Sequence, residues 1–258
     1  PLNPIEMGMP DEASLAARIA ENREYVKAFA AFYGPEVLKD PKATFRAATE
    51  AIAAFERTPQ FSPFDSKYDR YLRGEVKLTD EEELGRTLFF SKQFTNCNLC
   101  HDVKARDGRM EGATFTSYKY FNIGVPANPD VRKANGSKPD FTDPGLAANP
   151  HVKGDPKERG KFKVPGLRNV AVTAPYMHNG VFKDLRTVIL FYNKYNSKKK
   201  SRQINPETGR RWAPPEIADN IDLEKLEAGP ALDDRRIDAL VAFLKTLTDR
   251  RYEHLLEK

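Results

Sequence analysis

Cysteine is nearly absent from this chain: 258 residues hold only Cys97 and Cys100, alongside one tryptophan, four histidines and four methionines. So few thiols exclude a disulfide-stapled scaffold. A four-ligand structural zinc site is also disfavoured, because no second cysteine pair exists to complete it. No apolar run is long enough to cross a bilayer as a helix. The opening stretch PLNPIEMGMPDEAS lacks an initiator Met, a basic leader and an apolar segment, so the chain reads as a mature or trimmed form. Internal repeats are missing, and the short basic run Lys198, Lys199, Lys200 is the only biased tract. Charge of one sign is scarce too: 42 basic against 37 acidic residues leave +5, a mixed and solvated surface. No recognition motif accompanies that excess, so nucleic acid is not an expected partner.

What is present is helical near both ends and irregular between them. Leu15, Ile19, Tyr25, Val26, Phe29 and Phe32 recur near the helical period, and Gly34 then Pro35 close that stretch. Phe45, Ala48, Ile52 and Phe55 form a second stripe, so 10–57 reads as two packed helices. A turn-rich connector leads to LTDEEELGRTLFF, where Thr79 and Glu82 form a capping box ahead of Leu84, Leu88 and Phe89. Residues 102–170 are rich in Gly, Pro, Asn and Asp; so long an irregular stretch in a compact domain is expected to wrap something. Ile237, Leu240, Val241, Leu244 and Leu247 line one face of a closing helix.

The two cysteines stand in FTNCNLCHD, with His101 directly after the second. C-x-x-C-H is the attachment pattern of c-type haem. Two thiols one helical turn apart reach the two vinyl groups of one porphyrin, and the next residue offers an imidazole to the iron. A thioredoxin-like redox pair would need a strand–turn–helix setting that the flanks do not provide. A disulfide would leave His101 unexplained. Haem c is therefore the expected cofactor, and because it is attached outside the cytoplasm, the expected location is the periplasm.

VPGLRNVAVTAPYMHNG at 164–180, with NPIEMGM at 3–9, AAFERT at 53–58, SPFD at 62–65 and NIGVP at 122–126, resembles the bacterial dihaem cytochrome c peroxidase and MauG family over nearly the whole chain. The resemblance implies a mainly α fold: residues 1–78 as a helical segment similar to the second half of a peroxide-reacting haem domain, and 79–258 as a class I cytochrome c-like haem domain with long irregular loops. The attachment motif of the upstream haem is not in this sequence, so a second haem c would come from a missing segment. By position Glu6 matches the family's acid–base residue over the peroxide-binding iron, where a carboxyl could shuttle a proton. The family's tryptophan between the haems lies upstream; Trp212 is not assigned that role.

Opposite His101, the residues alone leave Met7, Met9, Met110, Met177, His151, His178, His254 and the tyrosines as candidate iron ligands. The choice matters, because Met raises the potential of a His-ligated iron and an anionic Tyr lowers it. Leu185, Val188, Ile189 and Tyr192 share a helix face behind the capping Asp184, and periodicity alone makes Tyr192 a core residue. The resemblance reverses this. The family's ligand lies fourteen residues after the His of the PYMHNG motif, Met in electron-accepting peroxidases and Tyr in MauG-like proteins; counting from His178 reaches Tyr192. The resemblance also places His178 beside the haem as a supporting residue, lets Lys163 and Arg168 pair with propionates, and offers the carbonyls of Thr173 and Pro175 to a calcium ion.

Two functions follow as expectations. The first is an oxidoreductase of the peroxidase type that uses hydrogen peroxide, with electron transfer through a His101/Tyr192 haem and either a small redox protein (a cytochrome c or cupredoxin) or a protein substrate as partner. The second is a monohaem periplasmic electron carrier without peroxidase activity of its own, which the single attachment motif supports and Tyr192 opposes. A haem-based sensor ranks last, since no output domain follows.

Overall fold

The computed structural model describes residues 1–3, 6–103, 110, 112–138, 140–152 and 154–256. The chain divides into two compact units, Pro1–Pro63 and Phe64–Lys258.

The first unit contains α1 (Glu12–Ala20), α2 (Arg23–Tyr33) and α3 (Pro41–Glu56). The helix expected before Gly34 is two helices rather than one. Asn22 leaves the helical region, and its side chain accepts the N–H groups of Glu24 and Tyr25, restarting the chain as α2. Gly34 ends α2 at φ +94°, a conformation open to glycine. Asp40 caps α3, with Pro41 at its first position. The face that α3 buries overlaps the expected stripe only in part: Ala48 is enclosed together with Thr44 and Ala47, whereas Ile52 and Phe55 are exposed. Small residues let α1 approach α3 closely, and the Thr44 hydroxyl donates to the carbonyls of Val37 and Asp40 at 2.7 and 3.0 Å.

The second unit starts inside the connector. It contains α4 (Lys67–Leu72), α5 (Asp80–Phe90), α6 (Cys97–Cys100), β1 (Tyr120–Phe121), α7 (Pro129–Ala134), β2 (Phe162–Lys163), α8 (Leu185–Asn193), β3 (Ile204–Asn205), β4 (Arg210–Arg211), α9 (Leu223–Leu226) and α10 (Asp234–Lys245). Residues 64–78 therefore go with this unit and not with the first region. Tyr68 and Asp69 of α4 are buried, and the Tyr68 N–H donates to the Thr246 carbonyl at 2.9 Å. Ser66 and Asp69 cap α4 reciprocally, as Thr79 and Glu82 cap α5.

The core forms where α5 crosses α10. A Cβ on Gly85 would stand 1.8 Å from the Ala239 carbonyl oxygen, so only glycine permits this approach. Around the crossing, Phe89, Phe115, Phe243 and Tyr68 pack with ring centroids 5.2–6.0 Å apart. The antiparallel pairs β1–β2 and β3–β4 are two residues long each, so the architecture is mainly α with irregular connections, as expected. No helix among the described residues is long and apolar enough to cross a membrane.

Candidate haem site

Cys97, Asn98, Leu99 and Cys100 make a single helical turn. Asn96 enters it in the left-handed region at φ +54°, a conformation asparagine tolerates better than most residues. The turn extends to His101, whose N–H donates to the Cys97 carbonyl at 2.9 Å, and the Ser117 N–H holds the Cys100 carbonyl at 2.9 Å. Both cysteines are free thiols. Burial pushes the Cys97 thiol up to about 11 and raises Cys100 as well, which favours the protonated thiols.

His101 is half-buried at the cavity wall, and burial lowers its pKa against the opposing pull of the Phe115 and Pro165 carbonyls. Its Nδ1 stands 3.0 Å from the Phe115 carbonyl oxygen. A carbonyl only accepts, so Nδ1 carries the proton and Nε2 keeps its lone pair. This is how metal-bound histidines are oriented: a backbone acceptor sets tautomer and ring plane and leaves the other nitrogen for the metal.

A cavity of about 480 Å³ opens beside this turn. Its walls are the cysteine turn with His101, the irregular segment around Phe121–Val125 and Phe162–Leu167, and α8, with Leu240 and Leu244 of α10 behind. The long loop thus wraps a space, as its composition implied. Asp184 caps α8 by accepting from Thr187 N, and Glu207 accepts the N–H groups of Lys183 and Asp184 just before it. At the other end, Asn193 and Leu232 exchange two hydrogen bonds of 2.8 and 3.1 Å. Anchored at both ends, α8 presents Val188, Ile189 and Tyr192 to the cavity. The Tyr192 hydroxyl has no hydrogen bond among the described residues, and burial raises its pKa well above the ordinary phenol value.

Of the candidate iron ligands, Tyr192, Tyr176, Met177 and His178 line the cavity with His101. Met110 packs against the main core, His151 and His254 are exposed, and Met7 and Met9 lie in the first unit. His178 stacks on Phe162 with ring centroids 3.4 Å apart and planes 8° from parallel. Burial lowers its pKa first, while the Asp143 and Glu216 carboxylates act to raise it. Lys163, Thr173 and Pro175 also line the cavity, and the Lys163 ammonium sits 5.2 Å from the Tyr118 ring centroid. Glu6 is exposed in the first unit.

Arg168 is placed differently from the expected propionate contact. It does not line the cavity; its guanidinium grips buried Asp69 through bonds of 2.7 and 2.9 Å, donates to the Ala113 carbonyl at 2.7 Å and lies on the Phe64 ring. Its charge is already balanced by Asp69 in the interior. Conversely, Lys225, Asp222, Glu216 and Asp143 line the cavity and were not legible beforehand. Asp143 and Glu216 sit in irregular segments, and Asp222 and Lys225 belong to the cap and single turn of α9, so only the fold brings them in.

The donor set fits a covalent porphyrin. Two thiols and an imidazole with a bare nitrogen lie on one wall, a phenol without a partner lies on the wall of α8, and apolar side chains fill the perimeter of a space in the range of small-molecule sites.

Residues 1–77 match a family model described as di-haem cytochrome c peroxidase. The methylamine utilization protein MauG of Paracoccus denitrificans (strain Pd 1222) is 56% identical over 257 residues, covering 100% of this chain and 65% of that protein. The solved diheme peroxidase BthA from Burkholderia thailandensis E264 superposes with a TM-score of 0.78 at 32% identity, over 98% of this chain and 62% of that one. A MauG-like protein associated with microbial copper homeostasis gives 0.62 at 31% identity, over 93% and 63% of the two chains. The chain thus spans less than two thirds of the length of each of these relatives.

Proposed function

The chain belongs to the bacterial dihaem cytochrome c peroxidase and MauG family, and from that premise we propose that it is the haem-c portion of a periplasmic oxidoreductase that uses peroxide. The family carries c-type haem, which supplies a one-electron redox couple and, in its peroxide-reacting members, an open position for the oxidant. The observation that carries the reading is the single cavity that joins Cys97, Cys100 and His101 to Tyr192.

Each residue has a defined task there. Cys97 and Cys100 would hold the group to α6, each S–H adding across a vinyl group with sulfur bonding one carbon and the hydrogen going to the other. His101, pinned by the Phe115 carbonyl, offers Nε2 in one orientation. Tyr192 would have to lose its proton to serve as a second ligand from the wall of α8. Burial opposes that loss, so a positively charged metal centre must offset it, and the oxidised state of the couple is the one favoured. His178, held by Phe162, keeps a polar ring at the cavity wall without taking either ligand position. Lys163 is the cation placed to meet a propionate, and the carbonyls of Thr173 and Pro175 are candidates for a calcium ion. Glu6 matches by position the family's acid–base carboxyl; it would act only beside a second haem c, where a carboxyl could relay a proton between peroxide oxygens. The electron partner is a cytochrome c or cupredoxin, or a protein side chain.

Tyr192→Phe tests the ligand. The ferric spectrum should change and the potential should rise by a sizeable part of the roughly 0.8 V range that axial ligands command. An unchanged spectrum would return Met177 to the ligand position. A haem count on the native particle tests the rest: two per copy of this chain supports peroxide chemistry with Glu6, and one makes the chain a monohaem electron carrier.

A further inference from the structure

Between residues 194 and 212 the chain holds seven basic residues (Lys194, Lys198, Lys199, Lys200, Arg202, Arg210, Arg211) against one acidic residue, Glu207. The fold gathers them. The β3–β4 hairpin pairs Ile204 with Arg211 and Asn205 with Arg210, so the two arginines come back beside the end of the lysine run. Lys198, Lys199, Lys200, Arg210 and Arg211 are all exposed, and among the described residues none of the five is in an ion pair. Neighbouring carboxylates are engaged elsewhere: Glu207 faces the backbone N–H groups at the start of α8, and Asp234 binds Arg186 and Arg202 at 2.6 and 2.9 Å.

Beneath this surface lies a packed aromatic route to the cavity. Trp212 follows Arg211 directly and ties its indole N–H to the Arg202 carbonyl at 2.9 Å. Its ring meets Phe191 at 5.6 Å, and Phe191 meets Tyr192, on the cavity wall, at 5.9 Å. The Lys194 ammonium covers the same cluster, 3.9 Å from the centroid of Phe191 and 5.8 Å from that of Trp212. A solvated loop would need neither five exposed, unpaired cations nor a row of rings in edge-to-face contact behind it.

We propose that the lysine run 198–200 and the hairpin arginines 210 and 211 form the docking surface for the acidic face of a soluble redox protein, set over the edge-to-face Trp212–Phe191–Tyr192 row. This deepens the proposed function and rests on it. Unpaired cations steer an anionic surface toward them and hold it in register, while the rings keep the distance from the partner's redox centre to the cavity filled with atoms. Nucleic acid fits less well, since it would use the charge but not the route behind it.

The test separates binding from turnover. The haem-loaded protein is titrated with a redox-silent acidic cupredoxin (cadmium in place of copper) and with a zinc-substituted basic cytochrome, at low and at high salt. Wild type should bind the acidic probe, lose most of that affinity at high salt, and leave the basic probe unbound. Lys198→Glu/Lys199→Glu/Lys200→Glu and Arg210→Glu/Arg211→Glu should each weaken binding on the order of tenfold or more. The control Lys77→Glu/Lys245→Glu should not; Lys245 lies about 17 Å along α10 from the Asp234 end that carries Arg202. Equal binding of the basic probe, equal damage by the control, or a duplex DNA competing at the same patch with the same affinity would overturn the proposal. Peroxide consumption is measured in parallel: a protein that binds the acidic probe through this patch but leaves peroxide untouched keeps the docking surface and loses the peroxidase reading.

Discussion

Phe115, Phe182, Phe191 and Phe243 are fully enclosed in the second unit, whereas in the first Phe32 is 83% exposed and Phe55 and Phe61 are more than half exposed. Both units hold well-capped amphipathic helices. Asp11, Asn22 and Asp40 cap the first unit's helices as competently as Thr79 and Asp184 cap those of the second. The difference lies in what the apolar faces meet. In the second unit α5, α10 and the wrapping loop close over one another; in the first, α1 and α3 bury mainly small residues and leave the large ones at the surface. Helix formation is settled within a turn or two of sequence, while burial requires a second surface of matching shape.

Four substitutions sharpen or break that contrast. The largest effect should come from Cys97→Ala with Cys100→Ala: covalent haem should vanish from a haem-stained denaturing gel, and retention of stain would break the second unit's claim to an attachment site. Next, Asp69→Asn should cost roughly 3–5 kcal/mol in a urea melt, because it leaves Arg168 charged and unpaired in the interior. The pH dependence has a definite sign. Burial alone would raise the Asp69 pKa, but the Arg168 and Ser66 bonds hold it below the ordinary carboxylate range. Its contribution is therefore complete above about pH 4 and disappears as pH falls through the lowered value, so Asp69→Asn should flatten the acid limb of the stability curve. Phe243→Ala should cost about 3–5 kcal/mol by opening a cavity at the α5–α10 crossing. Phe32→Ser should change the first unit's stability by less than about 0.5 kcal/mol; a loss as large as that of Phe243→Ala would erase the distinction between the two units.

What could be read from sequence divides along the same line. The capping box of Thr79 and Glu82, the helix after Asp184 and the closing helix depend on neighbours within four residues, and each formed where its signals stand; α4 formed inside a stretch read as a connector. The turn from Cys97 to His101 stood out because its residues are adjacent in sequence. Tyr192 was not legible from periodicity, which makes it one more core aromatic on α8; only the family resemblance singled it out. The stripe of α3 held only in part because its apolar period says which residues could be buried, not which face α1 would cover. Arg168 failed for a related reason: its partner Asp69 lies 99 residues earlier, and a charge with a distant partner looks the same in sequence as one free to meet a ligand. Glu216 reaches the cavity from an irregular segment and Lys225 from the single turn of α9, and neither position is set by local periodicity.

Trp212 is the only tryptophan in the chain, so all indole emission from these 258 residues originates at one known place. It packs on Phe191, whose neighbour Tyr192 lines the cavity. A porphyrin in that cavity absorbs where indole emits, and energy transfer over so short a path would darken the fluorophore. The molecule therefore carries its own gauge of cofactor loading: bright molecules are empty, dark ones filled, and the fraction can be followed by eye of a fluorimeter as the protein matures.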